Sequence, residues 1–329
     1  MRALVTGAAG FIGAHVVSAL AQAGAHVRAF DLIAPGARAG AGPTPPKGVD
    51  VVVGDILDPT ALRRALDGCD AVFHLAAVYS FRRADRGLMR AVNVEGTRAV
   101  LDAALRGPRR RIVHTSTCAT CGPVPGRPAT ERDLPAGAQL RIPYRATKLA
   151  GEQLALRAAR EGAEVVVVNP TVPVGIGDLR PTPTGKMIAD VVAGRARAYL
   201  ARSALNVAAV ADVARGHLLA WERGLTGNRY LLGGENVSVR DVFALVAETA
   251  GLTAPRLPVP WSVAYASARA AQAITVPLGH EPELLVLDEV RAGRLPHVFD
   301  DAKARAQLGY CPGSAADALA DAARAALAV

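Results

Sequence analysis

GAAGFIG at residues 7–13 decides the fold of this chain. It follows a strand-like ALVT at 3–6 and opens a helix-patterned segment at 11–23. Gly7, Gly10 and Gly13 therefore stand where a strand must turn sharply into a helix. Glycine permits that turn and removes the Cβ that would block an approaching phosphate. The helix N-terminus offers unpaired N–H groups and a partial positive charge to an anion. The strand before and the helix after set this turn apart from an ordinary glycine-rich loop and point to a dinucleotide site.

Outward from that turn, strand-like runs recur as HVRAF (26–30), VDVVV (49–53), AVFHL (71–75), RIVHT (111–115) and EVVVVN (164–169). Helix-patterned segments separate them at 58–67, 88–106 and 144–161. Short apolar strands alternating with helices predict βαβ units and a parallel sheet covered on both faces. The fold class expected is α/β, a doubly wound Rossmann sheet with a smaller C-terminal substrate lobe. The large domain is placed at 1–172, with late strands from about 206–234 and 295–303. The lobe takes 173–205, 235–294 and 304–329. Residues 34–48 read as a Gly/Pro loop and 170–185 as a shaped loop, followed by a helix over 186–204. Further helices are expected at 212–223, 238–250, 262–276 and 314–328, with a strand at 228–234.

The 329 residues carry 38 basic and 29 acidic side chains, a net charge of 38 − 29 = +9. The densest basic run, Arg109-Arg110-Arg111, leads into a strand and reads as a solvated face, not a nucleic-acid patch. Met1-Arg2 runs straight into ALVT, so no secretory leader is expected. The apolar stretch 261–276 is too short and too polar to span a bilayer. A cytoplasmic protein without nucleic-acid partners follows. Cys118 and Cys121 form a C-x-x-C that reads either as a redox pair or as two small apolar residues beside the site; no metal centre is expected.

Asp31 closes the second strand, 18 residues after Gly13. A carboxylate there accepts the ribose hydroxyls of NAD and repels a 2′-phosphate, favouring NAD over NADP. Arg38 in the following loop is the cation that could reverse that preference. YRATK at 144–148 puts Tyr144 and Lys148 one helical turn apart on one face. The ammonium is expected to lower the phenol's pKa towards working pH, for proton exchange with an alcohol. The strand RIVHT ends in Ser116 and Thr117, at the carboxyl edge where ligands gather. Together these features predict a nicotinamide-dependent oxidoreductase.

The chain resembles the extended short-chain dehydrogenase/reductase family over nearly its whole length. GAAGFIG, GDILD (54–58), FHLAA (73–77), NVEGT (93–97), TSTCATCG (115–122), YRATK and DDAKARAQLGY (300–310) carry the resemblance. NPTVPVGIGDLRPTPTGKMI (169–188) and RYLLGGENVS (229–238) are similar to the dihydroflavonol-reductase-like branch and to hopanoid-associated sugar epimerases. The resemblance implies Tyr144 as acid/base, Lys148 as its partner and ribose ligand, and Thr117 as the hydroxyl that holds the substrate oxygen, with Ser116 as second choice. It implies a cofactor path along Phe11, Ile12, Leu75, Ala76, Ala77, Thr115 and Ser116. Asp55 and Ile56 would flank adenine, Pro170, Thr171 and Val172 the nicotinamide, and Asn93 would brace the catalytic helix. A homodimer pairing helices 88–106 and 144–161 is implied as well.

Reductase and epimerase share this machinery. Arg291 falls where related epimerases often hold a sugar nucleotide's phosphates, but the second expected anchor is Leu205, with Arg202 as a stand-in. A sugar-like or other small polyol or ketone is therefore favoured over a nucleotide sugar. Tyr79, Arg82, Arg180 and Tyr199 are candidate pocket liners. A non-catalytic nucleotide sensor is the remaining reading.

Overall fold

The computed structural model describes residues 1–36, 44–278, 280, 282 and 285–328, so Arg38 lies outside the described residues. Seven parallel strands form the main sheet: β1 (Arg2–Thr6), β2 (His26–Asp31), β3 (Asp50–Val53), β4 (Ala71–His74), β5 (Arg111–Thr115), β6 (Glu164–Pro170) and, after three strands placed elsewhere, β10 (Arg229–Leu232). Their order is β10-β6-β5-β4-β1-β2-β3. The chain starts at β1, winds outward to β3, then returns to β4 on the other side of β1. Ligands of such sheets bind at this reversal, outside the carboxyl ends of the strands.

Helices cover both faces. Val16, Val17 and Leu20 of α1 (Phe11–Gln22) share one core with Val213 and Ala214 of α7 (Val210–Arg223) and with Ala304 and Leu308 of α11 (Ala302–Leu308). On the opposite face, α2 (Pro59–Leu66), α4 (Thr97–Leu105) and α5 (Pro143–Arg160) bury Leu62, Val100, Leu101, Ala155 and Ala158 against Leu4, Ile112 and Val165. The uninterrupted valines of β6 are buried on both sides, as a central parallel strand requires. The similar run in β3 sits at the sheet edge instead, where Val53 is 59% exposed.

The helix expected at 88–106 is one continuous rod of three parts: α3 (Arg86–Arg90), a π-helical segment (Ala91–Gly96) and α4. The helix expected over 186–204 is shorter. It runs as α6 (Pro183–Val192), and Gly194 at φ +68° ends it, a conformation open to glycine at little cost. The chain then forms β8 (Ala198–Leu200) and β9 (Ala204–Ala209). β9 does not join the main sheet. It pairs parallel with β7 (Val172–Val174) and antiparallel with β11 (Glu235–Ser238). Residues 297 and 299, also expected in the main sheet, make isolated bridges to Leu205 and Ala129. The small sheet packs on α6, α8 (Val239–Thr249) and α12 (Ala315–Leu327) around Val207, Phe243 and Leu319. α9 (Trp261–Thr275) and α10 (Leu287–Ala292) pack together, and β12 (Leu257–Val259) pairs with β8.

Candidate active site

Two cavities meet at the glycine turn. The outer, about 360 Å³, lies over the ends of β1 and β2; the inner, about 270 Å³, lies over β5 and β6. Both touch Gly7, Gly10, Phe11, Leu75 and Ala77, so together they form one elongated crevice.

The turn is built by backbone exclusion. Gly7 has φ +71°, and a Cβ on it would lie 2.6 Å from the Ala76 nitrogen. A Cβ on Gly13 would collide with the Gly7 carbonyl oxygen. At Gly10 the only nearby atom among the described residues is that same oxygen, at 3.1 Å, so a Cβ there would project into the crevice. Among the described residues no side chain caps α1, whose first turn therefore faces the crevice with free N–H groups. Asp31 is pinned at the end of β2, accepting from Ala9 N at 2.9 Å and Leu32 N at 2.7 Å. Asp55, Ile56 and Ala76 complete the outer cavity. A bare helix N-terminus, a glycine cradle and a carboxylate at the far end fit a dinucleotide. When bound, NAD would supply a hydride acceptor or donor.

Tyr144 stands in the first turn of α5, just after Pro143 starts the helix. Its ring lies 4.3 Å from that of Tyr79, and the Thr117 hydroxyl is among the groups that act on its phenol. Thr117, Tyr144, Lys148, Thr115, Ser116 and Tyr79 all line the inner cavity, with Ile12, Pro170, Thr171 and Val172. The Ser116 hydroxyl turns away, to within 3.4 Å of Thr120 Oγ1.

The electrostatics differ from the sequence expectation. Burial pushes the Tyr144 phenol above its ordinary range; the Thr117 hydroxyl is the main counterweight, and the Arg145 charge adds to it. Lys148 Nζ instead donates to the Thr115 carbonyl at 2.8 Å, and burial lowers its pKa to about 8. Desolvation of the phenol thus outweighs the Thr117 hydroxyl and the Arg145 charge together.

Asn93 is a brace and does not line either cavity. From the π-helical segment its side chain accepts from Val78 N at 2.7 Å, donates to Val78 O at 3.0 Å and donates to Thr147 Oγ1 on α5 at 3.2 Å. The buried Glu152 of α5 forms a second tie, paired with Arg229 at 3.0 Å and accepting from Thr120 and Asn169 at 2.7 Å each. These contacts fix the helix that carries Tyr144 and Lys148.

Five of the weaker assignments fall elsewhere. Arg180 lines the outer cavity, because the 173–185 loop crosses the crevice and His15 Nε2 lies 2.9 Å from its Ile176 carbonyl. Tyr199 packs against Phe243 beneath the small sheet, 6.4 Å between ring centroids. Arg291 pairs with Asp288 at 2.8 Å. Arg82 borders neither cavity. Arg202 is exposed, at φ +57°, in the turn after β8. The sequence reading missed Phe81, Arg145, His297 and Phe299, which wall the inner cavity. Arg145 stood inside the quoted motif. His297 and Phe299 arrive through isolated bridges to Leu205 in β9 and to Ala129, and no local pattern marks them. Cys118 and Cys121 are buried free thiols. Among the described residues no helix is long and apolar enough to cross a membrane.

The model of the NAD dependent epimerase/dehydratase family matches residues 3–233. A dihydroflavonol 4-reductase-like protein of Synechocystis sp. is 38% identical, covering 97% of this chain and 92% of that protein. Sterol demethylase protein B of Methylococcus capsulatus is 32% identical over 98% and 97%. The crystal structure of gox2253 superposes with a TM-score of 0.85 at 36% identity, covering 98% of this chain and 97% of that one. A glycine cradle, a carboxylate-ended second strand and a Tyr/Lys helix over one crevice agree with these matches: the chain belongs to the NAD-dependent epimerase/dehydratase family, of the extended short-chain dehydrogenase/reductase type.

Proposed function

We propose that this enzyme reduces a small ketone to a secondary alcohol, and runs the reverse oxidation, with Tyr144 as the proton donor and acceptor. The observation that carries this reading is the convergence of Thr117, Tyr144 and the buried Lys148 on the inner end of the crevice. Thr117 holds the substrate oxygen and stabilises charge as it develops there. Tyr144 gives that oxygen its proton, and its burial keeps the proton available for reduction. Lys148 and Asp31 hold the two riboses of the cofactor, and the free N–H groups of α1 hold its pyrophosphate. The carboxylate of Asp31 selects NAD against NADP. Pro170, Thr171 and Val172 shape the nicotinamide end.

The substrate we favour is a ketone with an apolar body, sugar-like polyols being the less favoured alternative, because Phe81, Pro123, Pro173 and Phe299 wall the cavity. A nucleotide-sugar epimerase is the second reading, supported by the family's membership. The engagement of Arg291 with Asp288 and the presence of Leu205 in β9 weigh against it. A two-lobed division, a cytoplasmic setting and a homodimer through helices 88–106 and 144–161 belong to the same proposal. Light scattering on the 34.0 kDa chain checks the dimer, and a monomer mass removes it.

The test is NADH oxidation with a panel of aryl, aliphatic and sugar ketones. Tyr144→Phe should lower turnover about 10²–10⁴-fold while NAD affinity stays within about twofold. Undiminished turnover would remove Tyr144 from the chemistry. Tightly retained NAD with no net NADH oxidation would favour the epimerase.

A further inference from the structure

The inner cavity holds a cation that this chemistry does not use. Arg145 follows Tyr144 on α5, is only 3% exposed and borders the cavity. Its Nη1 donates to the Gly122 carbonyl at 3.1 Å, and its Nη2 lies 2.9 Å from His297 Nε2. Among the described residues no carboxylate pairs with it. Glu289 acts on Tyr79, but no acid is among the groups that act on Arg145.

The groups that act on Arg145 electrostatically are Cys118, Tyr79 and Tyr144. None supplies a counter-charge, since burial pushes the Cys118 thiol up to about 12 and raises both phenols. His297 is held neutral by burial, down to about 3, so it adds no competing positive charge. A guanidinium does not give up its proton. Interiors tolerate a buried charge when it is paired, and an unpaired one is strongly unfavourable. A tie between the Gly122 carbonyl and an imidazole nitrogen needs only neutral donors, so bracing does not account for the charge.

We propose that Arg145, held in place by His297, anchors an anionic group of the substrate, a carboxylate or a phosphate, near the oxygen that Tyr144 serves. The inference rests on the ketone-reductase reading and names its substrate class: an apolar body with one anionic terminus. The planar fork keeps donors to spare for two parallel bonds to such a group. Phe81, Pro123 and Phe299 enclose the rest of the ligand. Arg145 is thus a specificity residue, and neutral analogues of the substrate bind weakly.

Calorimetric titration of the NAD-loaded protein with benzoate, phenyl phosphate and benzamide tests this. One or both anions should bind at least about tenfold more tightly than benzamide, and the tighter of the two identifies the anion class. Arg145→Met should erase the preference and Arg145→Lys should keep part of it, with NAD titration verifying that each variant is folded. Equal affinities on the wild type, absence of binding by all three, or a preference that survives in NAD-binding Arg145→Met would overturn the anchor. Should Arg145→Met fail to bind NAD, the wild type and Arg145→Lys decide between the outcomes. Tyr144-dependent ketone turnover without any anion preference sinks the anchor alone; anion preference without turnover sinks the reductase reading alone.

Discussion

The outer and inner halves of the crevice are made in different ways. The outer half is mostly backbone: a turn from which Cβ atoms are excluded, an uncapped helix end and one carboxylate held by two amides. Its parts come largely from one βαβ unit and the strand beside it. The inner half is mostly side chain, and it gathers residues from β5, α5, the 173–185 loop and the bridge at 297–299. A backbone site recognises what is common to a cofactor. A side-chain site assembled from distant segments can change its ligand without disturbing the turn.

Acid should separate the two halves most strongly. Burial holds His74 down to about 3, His217 to about 4 and His297 to about 3. His297 lines the inner cavity, and His217 Nε2 lies 3.0 Å from the Thr115 hydroxyl in its floor. In the unfolded chain these imidazoles titrate near the usual 6.5, so between about 6.5 and 4 the unfolded state binds protons that the native state does not. Stability is therefore complete above about 6.5 and falls with pH through that window, by about 1.4 kcal/mol per pH unit for each group. Urea unfolding at pH 7 and pH 5 should differ by a few kcal/mol, with amide exchange accelerating first around Thr115 and His297. Equal stability at both values would show that these imidazoles are not held neutral, and would erase the contrast.

A smaller effect sharpens the comparison from the other side. Asp31→Ala removes the carboxylate and leaves the glycine turn intact. NAD affinity should fall roughly 10- to 100-fold, the range for hydrogen bonds to a charged group, while NADP binding changes little. Fluorescence titration with both nucleotides reads the ratio. An unchanged ratio would assign the selection to another group in the outer half, where Arg180 stands.

The same contrast explains what could be read from the sequence. The sheet, the glycine turn, Asp31 and the Tyr144/Lys148 pair lie in contiguous stretches whose periodicity and spacing are local. The sequence points Arg180 to the substrate because nothing in 173–185 reveals that the loop crosses from one cavity to the other. The spacing suggests Arg291 as an anion ligand, but Asp288, three residues before it, is its partner. His297 and Phe299 depend on strand bridges that no neighbouring residue encodes. The elevated Tyr144 pKa was likewise out of reach, because desolvation is a property of the assembled cavity and Tyr-x-x-x-Lys spacing says nothing about it.

The crossing of the π-helical segment with α5 has one more consequence. A methyl on Gly151 would lie 2.5 Å from the Asn93 carbonyl, and one on Gly96 would strike Ile56, which walls the outer cavity. Two bare positions thus let the rod spanning 86–105 touch α5 on one side and the Ile56 wall on the other. The rod acts as a spacer of fixed thickness between the two ends of the crevice. Bulking up Gly151 would press on the acid–base helix and bulking up Gly96 on the Ile56 wall, so the reach from one end of the site to the other is set by one backbone contact and one side-chain contact of the rod.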